Sequence, residues 1–277
     1  AKIIEASKCI QTGALLITFE LFFPRPILAE KNTHRGHSKN TGSSRAIPVL
    51  RVLKDIMRSP FIPLFWGANK AGMQSAVELP LWKRMLCSSL WTMHRYFTYF
   101  TVRSLNSLGL HKQWANRLIE PHSYVRQVVT SSDGFENFFN LRYHDDAQPE
   151  IILLAALMLK EMKKLHLTKG WRKVGSGKTA ADNWHLPYIT NEERRRYSGY
   201  PLFLAKLSSA RCARTSYLTQ EGITPNPEKE IETFKKLALS KPIHASPLEH
   251  IAYALDDPKE KSRNFQGFMQ YRAFYEE

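Results

Sequence analysis

The chain has 277 residues, enough for one large domain or two small ones. Hydrophobic residues at 43% and aromatics at 12% exclude a disordered chain, while 40 Lys and Arg against 25 Asp and Glu leave a net charge of +15. That excess suits an anionic partner, whether nucleotide, phosphorylated cofactor, nucleic acid or membrane surface, and equally suits a solubilising basic surface.

Cys9, Cys87 and Cys212 are odd in number, far apart and without a companion at ligand spacing. Neither zinc nor a disulfide framework is expected, and a reduced, cytoplasmic setting fits. The apolar run GALLITFELFF (13–23) is interrupted by Glu20 and followed by PRP with no small-residue cleavage site. It reads as a buried strand over 14–23, not as a signal peptide. No stretch is long enough to span a bilayer.

Residues 32–48, NTHRGHSKNTGSSRAIP, show neither helix nor strand period. From Lys31 to Lys54 there is no acid, while Arg35, Lys39, Arg45 and Arg51 are positive. Arg forks, short hydroxyl and amide donors, and glycines that let the backbone come close are what a phosphate or an extended cofactor requires. A polar surface loop bonded to its own backbone fits the composition as well.

A helix is predicted over 49–58, and an ordered loop over 59–75. From Pro80 to Leu108, Trp82, Leu86, Leu90, Met93, Phe97 and Phe100 recur at three- and four-residue spacing, which predicts a long amphipathic helix with its aromatic stripe in the core. HKQWANRLIEP (111–121) continues as helix to Pro121, and VRQVVTSS (125–132) has strand character. The segment 133–165 ends in a nearly all-round apolar helix that turns basic at its C-terminus, as the helix dipole prefers. Residues 165–183 are expected as an exposed flap or linker, ERRR (193–196) as a solvated charge run, and 202–218 and 227–239 as helices. HASPLEHIAYAL (244–255) carries a helix-start signal. The fold expected is α+β, helix-rich, with an antiparallel or mixed sheet packed against long helices, as one domain over 1–277.

GSGKT (175–179) has Arg172 where a phosphate-binding P-loop needs glycine, and HLTKGWRK where it needs an apolar strand. GxGxxA (175–180) fails the same test. Arg117 and Arg142 each lie beside apolar helix, where a buried Arg needs an anion or a carboxylate; taken singly, an ion pair is the simpler reading. His244, Ser246, Glu249 and His250 cluster in HASPLEH, and singly read as cap and core residues. Cys212 beside Arg211 reads as a small core residue.

Together these pieces resemble the flavin-dependent thymidylate synthases, whose pattern RHRxxSxNxxSxR is met by THRGHSKNTGSSR (33–45) at His34, Arg35, Ser38, Asn40, Ser43 and Arg45. Thr33 replaces the first Arg, and Asp146 stands where common members have His. ANRLIEP (115–121), NFFNLRYHDDAQPEI (137–151), ARTSY (213–217) and HASPLEH (244–250) are similar to further family segments. The last two lie C-terminal to the first motif, whereas in common members they precede it, which looks like a circular permutation. Longer bacterial and phage-borne relatives share this order and carry segments like WGANKAGMQ and WHLPY.

The resemblance implies conversion of dUMP to dTMP, with methylenetetrahydrofolate giving the carbon, reduced FAD the hydride, and NADPH reducing the flavin. By position, His34, Arg35, Ser38, Asn40, Asn137, Ser216, His244, Ser246 and Glu249 would contact FAD. Ser43, Ser44, Arg45 and Arg117 would hold the dUMP phosphate, and Arg142 would lie against the uracil carbonyl; Arg142, Arg45 and Ser43 would carry the catalysis. Family members are homotetramers with sites built across subunits and no obligatory cysteine nucleophile. A relative acting on another pyrimidine (dCMP methylation or hydroxymethylation) keeps the same motifs; Glu30 and Lys31, just upstream, are candidates for reading that difference. A basic nucleic-acid-binding protein is the rival from another class, but the basic residues are dispersed.

Overall fold

A computed structural model describes all residues except 73, 74, 76, 216–222, 224, 225 and 277. Its main sheet has the order β3-β4-β2-β1-β5, built from β1 (Lys2–Cys9), β2 (Leu15–Pro24), β3 (Ser38–Thr41), β4 (Tyr124–Ser131) and β5 (Arg172–Val174). Pairing is antiparallel apart from β1 with β5. β2 is the longest strand, facing β4 from Ile17↔Ser131 to Pro24↔Tyr124.

Strand alternation gives β2 two different faces. Ile17, Phe19, Leu21 and Phe23 pack with Val125 and Val129 against α5 (Glu136–Arg142) and α6 (Pro149–Leu167), where Phe138, Ile151, Leu154 and Met158 are buried. The opposite face changes along its length. Leu16 is dry, in a cluster with Val174, Ala252, Ala254 and Phe268. Thr18 sits in a buried polar chain, in which Ser7 Oγ bonds His185 Nδ1, His185 Nε2 bonds Thr18, Thr18 bonds Thr130 and Thr130 bonds His250 Nδ1, all at 2.7–2.8 Å. Glu20 and Phe22 open into a cavity.

The C-terminal part covers the dry end of that face. It contains a three-stranded antiparallel sheet of β6 (Trp184–His185), β7 (Ala252–Ala254) and β10 (Phe268–Gln270), and a hairpin of β8 (Lys261–Ser262) and β9 (Phe265–Gln266). α7 (Asn191–Arg196) opens on a Thr190/Glu193 capping box, and α8 (Pro201–Arg214) and α9 (Pro227–Ala238) bury Leu204, Leu207, Cys212 and Phe234 against Trp184 and Tyr271. On the other flank, α1 (Leu28–Asn32) leads into the motif, and α2 (Val49–Arg58) packs on α3 (Leu81–Ser107) and α4 (Lys112–Ala115) through Val52, Ile56, Val102 and Ala115. No described helix is long and apolar enough to cross a membrane.

The architecture is α+β and helix-rich, as the pattern predicts, and the helix over 49–58 and the strands over 14–23 and 125–132 are observed within a residue or two. Several expectations are corrected. The α3 stripe lies outside the core of the chain: Trp82, Met93, Phe97 and Phe100 are 64%, 62%, 71% and 63% exposed, and only Thr98 and Val102 of this helix are buried. The expected flap at 165–183 contributes β5 and the buried Val174, because one apolar residue at strand spacing suffices to extend a sheet edge. HASPLEH makes a short 3-10 turn (Ser246–His250) and then becomes β7. After α4, residues Asn116–His122 are 3-10, not α. ERRR is not simply solvated, since Arg194 is buried on Glu5 at 2.9 Å and Glu193 holds Arg211 at 2.6 Å.

Candidate active site

The donor-rich stretch is not a loop throughout: its centre is β3, an edge strand paired to β4 from Ser38↔Thr130 to Thr41↔Gln127. The segments at 115–121, 137–151, 213–217 and 244–250 each touch the stretch or are tied to it. Asn40 Nδ2 donates to the carbonyls of Cys212 (2.7 Å) and Ala213 (3.3 Å), fastening the strand to the end of α8. Gln270 Nε2 donates to Ser38 Oγ and to the Glu249 carbonyl, both at 3.0 Å, which ties β3 to HASPLEH. Asn116 Nδ2 donates to the carbonyls of Ser44 and Ile47 at 2.7 and 2.9 Å, and Ser44 Oγ donates to Glu120 at 2.8 Å. Arg142 Nε donates to His34 Nε2 at 3.0 Å, and its other nitrogens reach Glu30 and Thr33.

The His34 end is unusual electrostatically. Burial, then Arg142, push the His34 ring down to about 4, so it is neutral at pH 7 and its Nε2 accepts from Arg142. His37, stacked on His34 at 5.8 Å, is lowered by burial to about 3, and its Nδ1 has no hydrogen-bond partner. Lys31 is fully buried, with its ammonium 5.4 Å from the Phe138 ring centroid and no hydrogen bond. Burial, then Lys39, push it down to about 7. At the other side of β3, burial raises the Glu249 carboxyl while Arg272 pairs with it.

The expected dUMP set is divided. Arg142 holds residues before β3, whereas Ser43, Ser44 and Arg45 follow it. Both arginines found beside apolar helix make ion pairs, Arg142 with Glu30 and Arg117 with Glu120. Ser43 lines the cavity; Arg45 is exposed and does not. Of the expected FAD contacts, His34 and Ser38 are buried, Asn40 and Glu249 are half-buried, and Arg35, Asn137, His244 and Ser246 are exposed. Ser216 lies outside the described residues. Asp146 is exposed, 3.6 Å from His144.

The cavity holds about 1060 Å³, the upper end of the ~300–1,000 Å³ usual for small-molecule sites. Its floor is the open end of the sheet; its walls are the 42–47 turn, α2, the 188–190 turn and the end of α8. Lys2, Arg25, Arg51, Arg126 and Arg214 face it against Glu20 and Asp55. No cysteine lines it, and burial pushes the Cys212 thiol up. Arg25, Glu20, Phe22, Arg126 and Tyr188 were not singled out in the sequence. Glu20 carried a signal, as the one acid within an apolar strand; Arg126 and Gln270 carried none.

No family model matches the chain, and no curated protein matches it. Among solved structures it is similar to a UMP/dUMP methylase, PolB from Streptomyces cacaoi, bound with 5-Br UMP. The two are 19% identical with a TM-score of 0.44, over 55% of this chain and 69% of that one.

Proposed function

We propose that the chain is a flavin-dependent methyltransferase acting on a pyrimidine nucleotide, with dUMP converted to dTMP, methylenetetrahydrofolate as carbon donor and NADPH as reductant. The observation that carries this reading is convergence. Five segments spread from residue 33 to residue 250 meet around β3, although two of them lie at the opposite end of the chain from their place in common members of the resembled family.

The residues present fit a phosphorylated flavin. Lys31 Nζ and His37 Nδ1 are buried polar atoms without hydrogen bonds, and Arg35, two residues before His37, adds an exposed cation. His34, Arg35, Asn137, His244, Ser246 and Glu249 would hold FAD. Ser38 and Asn40 would shape its site through Gln270 and the end of α8, and Ser216 would complete it. Bound there, FAD supplies the hydride. Arg142 is held by Glu30, Thr33 and His34, so its guanidinium is oriented before substrate arrives and can stabilise negative charge on a pyrimidine carbonyl. Ser43, Ser44 and Arg45, with Arg117, would bind the phosphate. With Arg142 and the phosphate set apart in one chain, a second copy completes the site in this reading. The α3 stripe, Trp82, Leu86, Leu90, Met93, Phe97 and Phe100 at four- and three-residue steps, is the seam for that copy in a homotetramer.

The test is an absorption spectrum of the purified chain with FAD, before and after anaerobic NADPH and dUMP, with dCMP assayed in parallel. A flavin band that bleaches, followed by dTMP formation once methylenetetrahydrofolate is added, supports the reading. A chain that takes up no FAD overturns it.

A further inference from the structure

The nucleotide reading leaves the floor of the cavity unexplained. Phe22 is 56% exposed there, on a strand where Leu16, Ile17, Phe19, Leu21 and Phe23 are buried. Its ring stacks on Tyr124, with centroids 5.1 Å apart and planes 17° apart. The Arg126 guanidinium lies 5.6 Å from the Phe22 centroid and also pairs with Glu20 at 2.6 Å. Tyr188, from the WHLPY segment, donates its hydroxyl to the other Glu20 oxygen at 2.8 Å. Tyr188 and Thr215 both line this cavity with left-handed backbones, φ 64° and 59°. Strain of that kind in non-glycine residues concentrates at ligand sites.

We propose that the Phe22–Tyr124 pair is a ring-binding subsite for the base of a pyrimidine nucleotide whose phosphate sits at the Ser43 turn, with Glu20 and Arg126 reading the edge of the base. This rests on the nucleotide reading above and adds the place of the base. Spacing supports it. Gly42 N–H donates to the Arg126 carbonyl at 2.8 Å, and Arg126 stands directly across from Phe22. Two strand spacings of ~4.8 Å separate the turn from Phe22, about the reach of a mononucleotide from phosphate to base. The edge chemistry matches too. Each Glu20 oxygen accepts one internal bond and has a lone pair left for a ring N–H, while Arg126, half exposed, can donate to the adjacent carbonyl or ring nitrogen. A pyrimidine offers that neighbouring donor and acceptor; an aliphatic ligand would use neither the ring nor the pair.

The experiment is calorimetric binding of dUMP and dCMP to the full chain and to Phe22→Ala and Phe22→Tyr, with circular dichroism to confirm folding. Phe22 is exposed, so neither substitution opens the core. Loss of a ring stack is expected to weaken nucleotide binding about tenfold in Phe22→Ala, and Phe22→Tyr is expected to stay within about twofold of the parent. Equal affinity in Phe22→Ala and the parent overturns the subsite while leaving the nucleotide reading in place. Equal weakening in both variants also overturns it, because the aromatic face would then not be the binding element. A parent chain that binds neither nucleotide overturns the nucleotide reading and the subsite together.

Discussion

α3 and α6 look alike in sequence: both are long and both carry large apolar side chains at helical spacing. α6 buries Ile151, Leu154, Ala155 and Met158 against the odd-numbered face of β2. α3 buries only Thr98 and Val102, leaving Trp82, Leu86, Leu90, Met93, Phe97 and Phe100 in solvent. Periodicity states that a face will be covered; it does not state by what. The stripes differ in detail. α6 sets Ala155 among Ile151, Leu154 and Met158, which lets a helix come close to a sheet, whereas α3 puts Trp, Met and Phe at steps that suit another helix. An apolar surface of this extent on a monomer marks an interaction site.

The largest test sets one charge in each helix. Met158→Asp places a carboxylate in a fully buried apolar site, and the chain is expected to lose more than ~3 kcal/mol and fail to fold. Phe97→Asp is expected to leave the melting temperature of dilute protein within about 2 °C and to abolish self-association in sedimentation velocity. If Phe97→Asp unfolds the chain as Met158→Asp does, the two helices are equivalent and the proposed interface along α3 is lost.

The same contrast shows how far the sequence could be read. Long periodic elements were legible because burial of one face dictates their spacing: α2, α3, β2 and β4 lie where the pattern put them. Short elements were not. β3, β5 and β6 have two to four residues, too few to carry a period, and they exist because a neighbouring strand offers them a ladder. The candidate site was half legible. The residues of 33–45 could be named from their order, but Gln270 and Arg126 act through positions that only folding brings near, and nothing in their local sequence marks them. Whether a long apolar stripe faces inward or toward another molecule is likewise absent from a single chain's pattern.

A smaller effect is expected from Lys31, whose buried ammonium lies over the Phe138 ring. Its folded value, lowered by burial from 10.5 to about 7, means that folding disfavours the proton. The contribution of this group to stability therefore falls as pH drops from 10.5 to 7. Lys31→Met is expected to raise stability at pH 7 by about 2 kcal/mol, or several degrees in melting temperature, with the gain shrinking toward pH 10. The same substitution should weaken uptake of a phosphorylated cofactor, since the uncompensated ammonium is what such a ligand would pair with. A drop in melting temperature at pH 7 would mean that Lys31 is already compensated in the ligand-free chain.

The smallest effect probes how α3 is held. With so little of it buried, polar contacts matter more than they do for α6. His94 Nδ1 lies 2.8 Å from His122 Nε2, and Trp91 Nε1 donates to the Phe61 carbonyl at 3.0 Å. Burial, then His94 and Arg95, push His122 down to about 4 from 6.5. Its contribution is thus complete above pH 6.5 and lost as pH falls through that window to 4, because the unfolded or undocked ring takes a proton that the docked ring refuses. Hydrogen exchange of α3 amides, corrected for the intrinsic rate, should rise about tenfold more than that of α6 amides between pH 7 and pH 4.5. His185 and His250, buried under the sheet and also pushed down, add an acid sensitivity shared by the whole chain, so the readout is the difference between the helices. In His122→Gln that difference should vanish. If it persists, the acid-labile contact of α3 lies elsewhere, and His122 is an ordinary buried ring beneath a helix held by Val102, its apolar neighbours and the Trp91 bond.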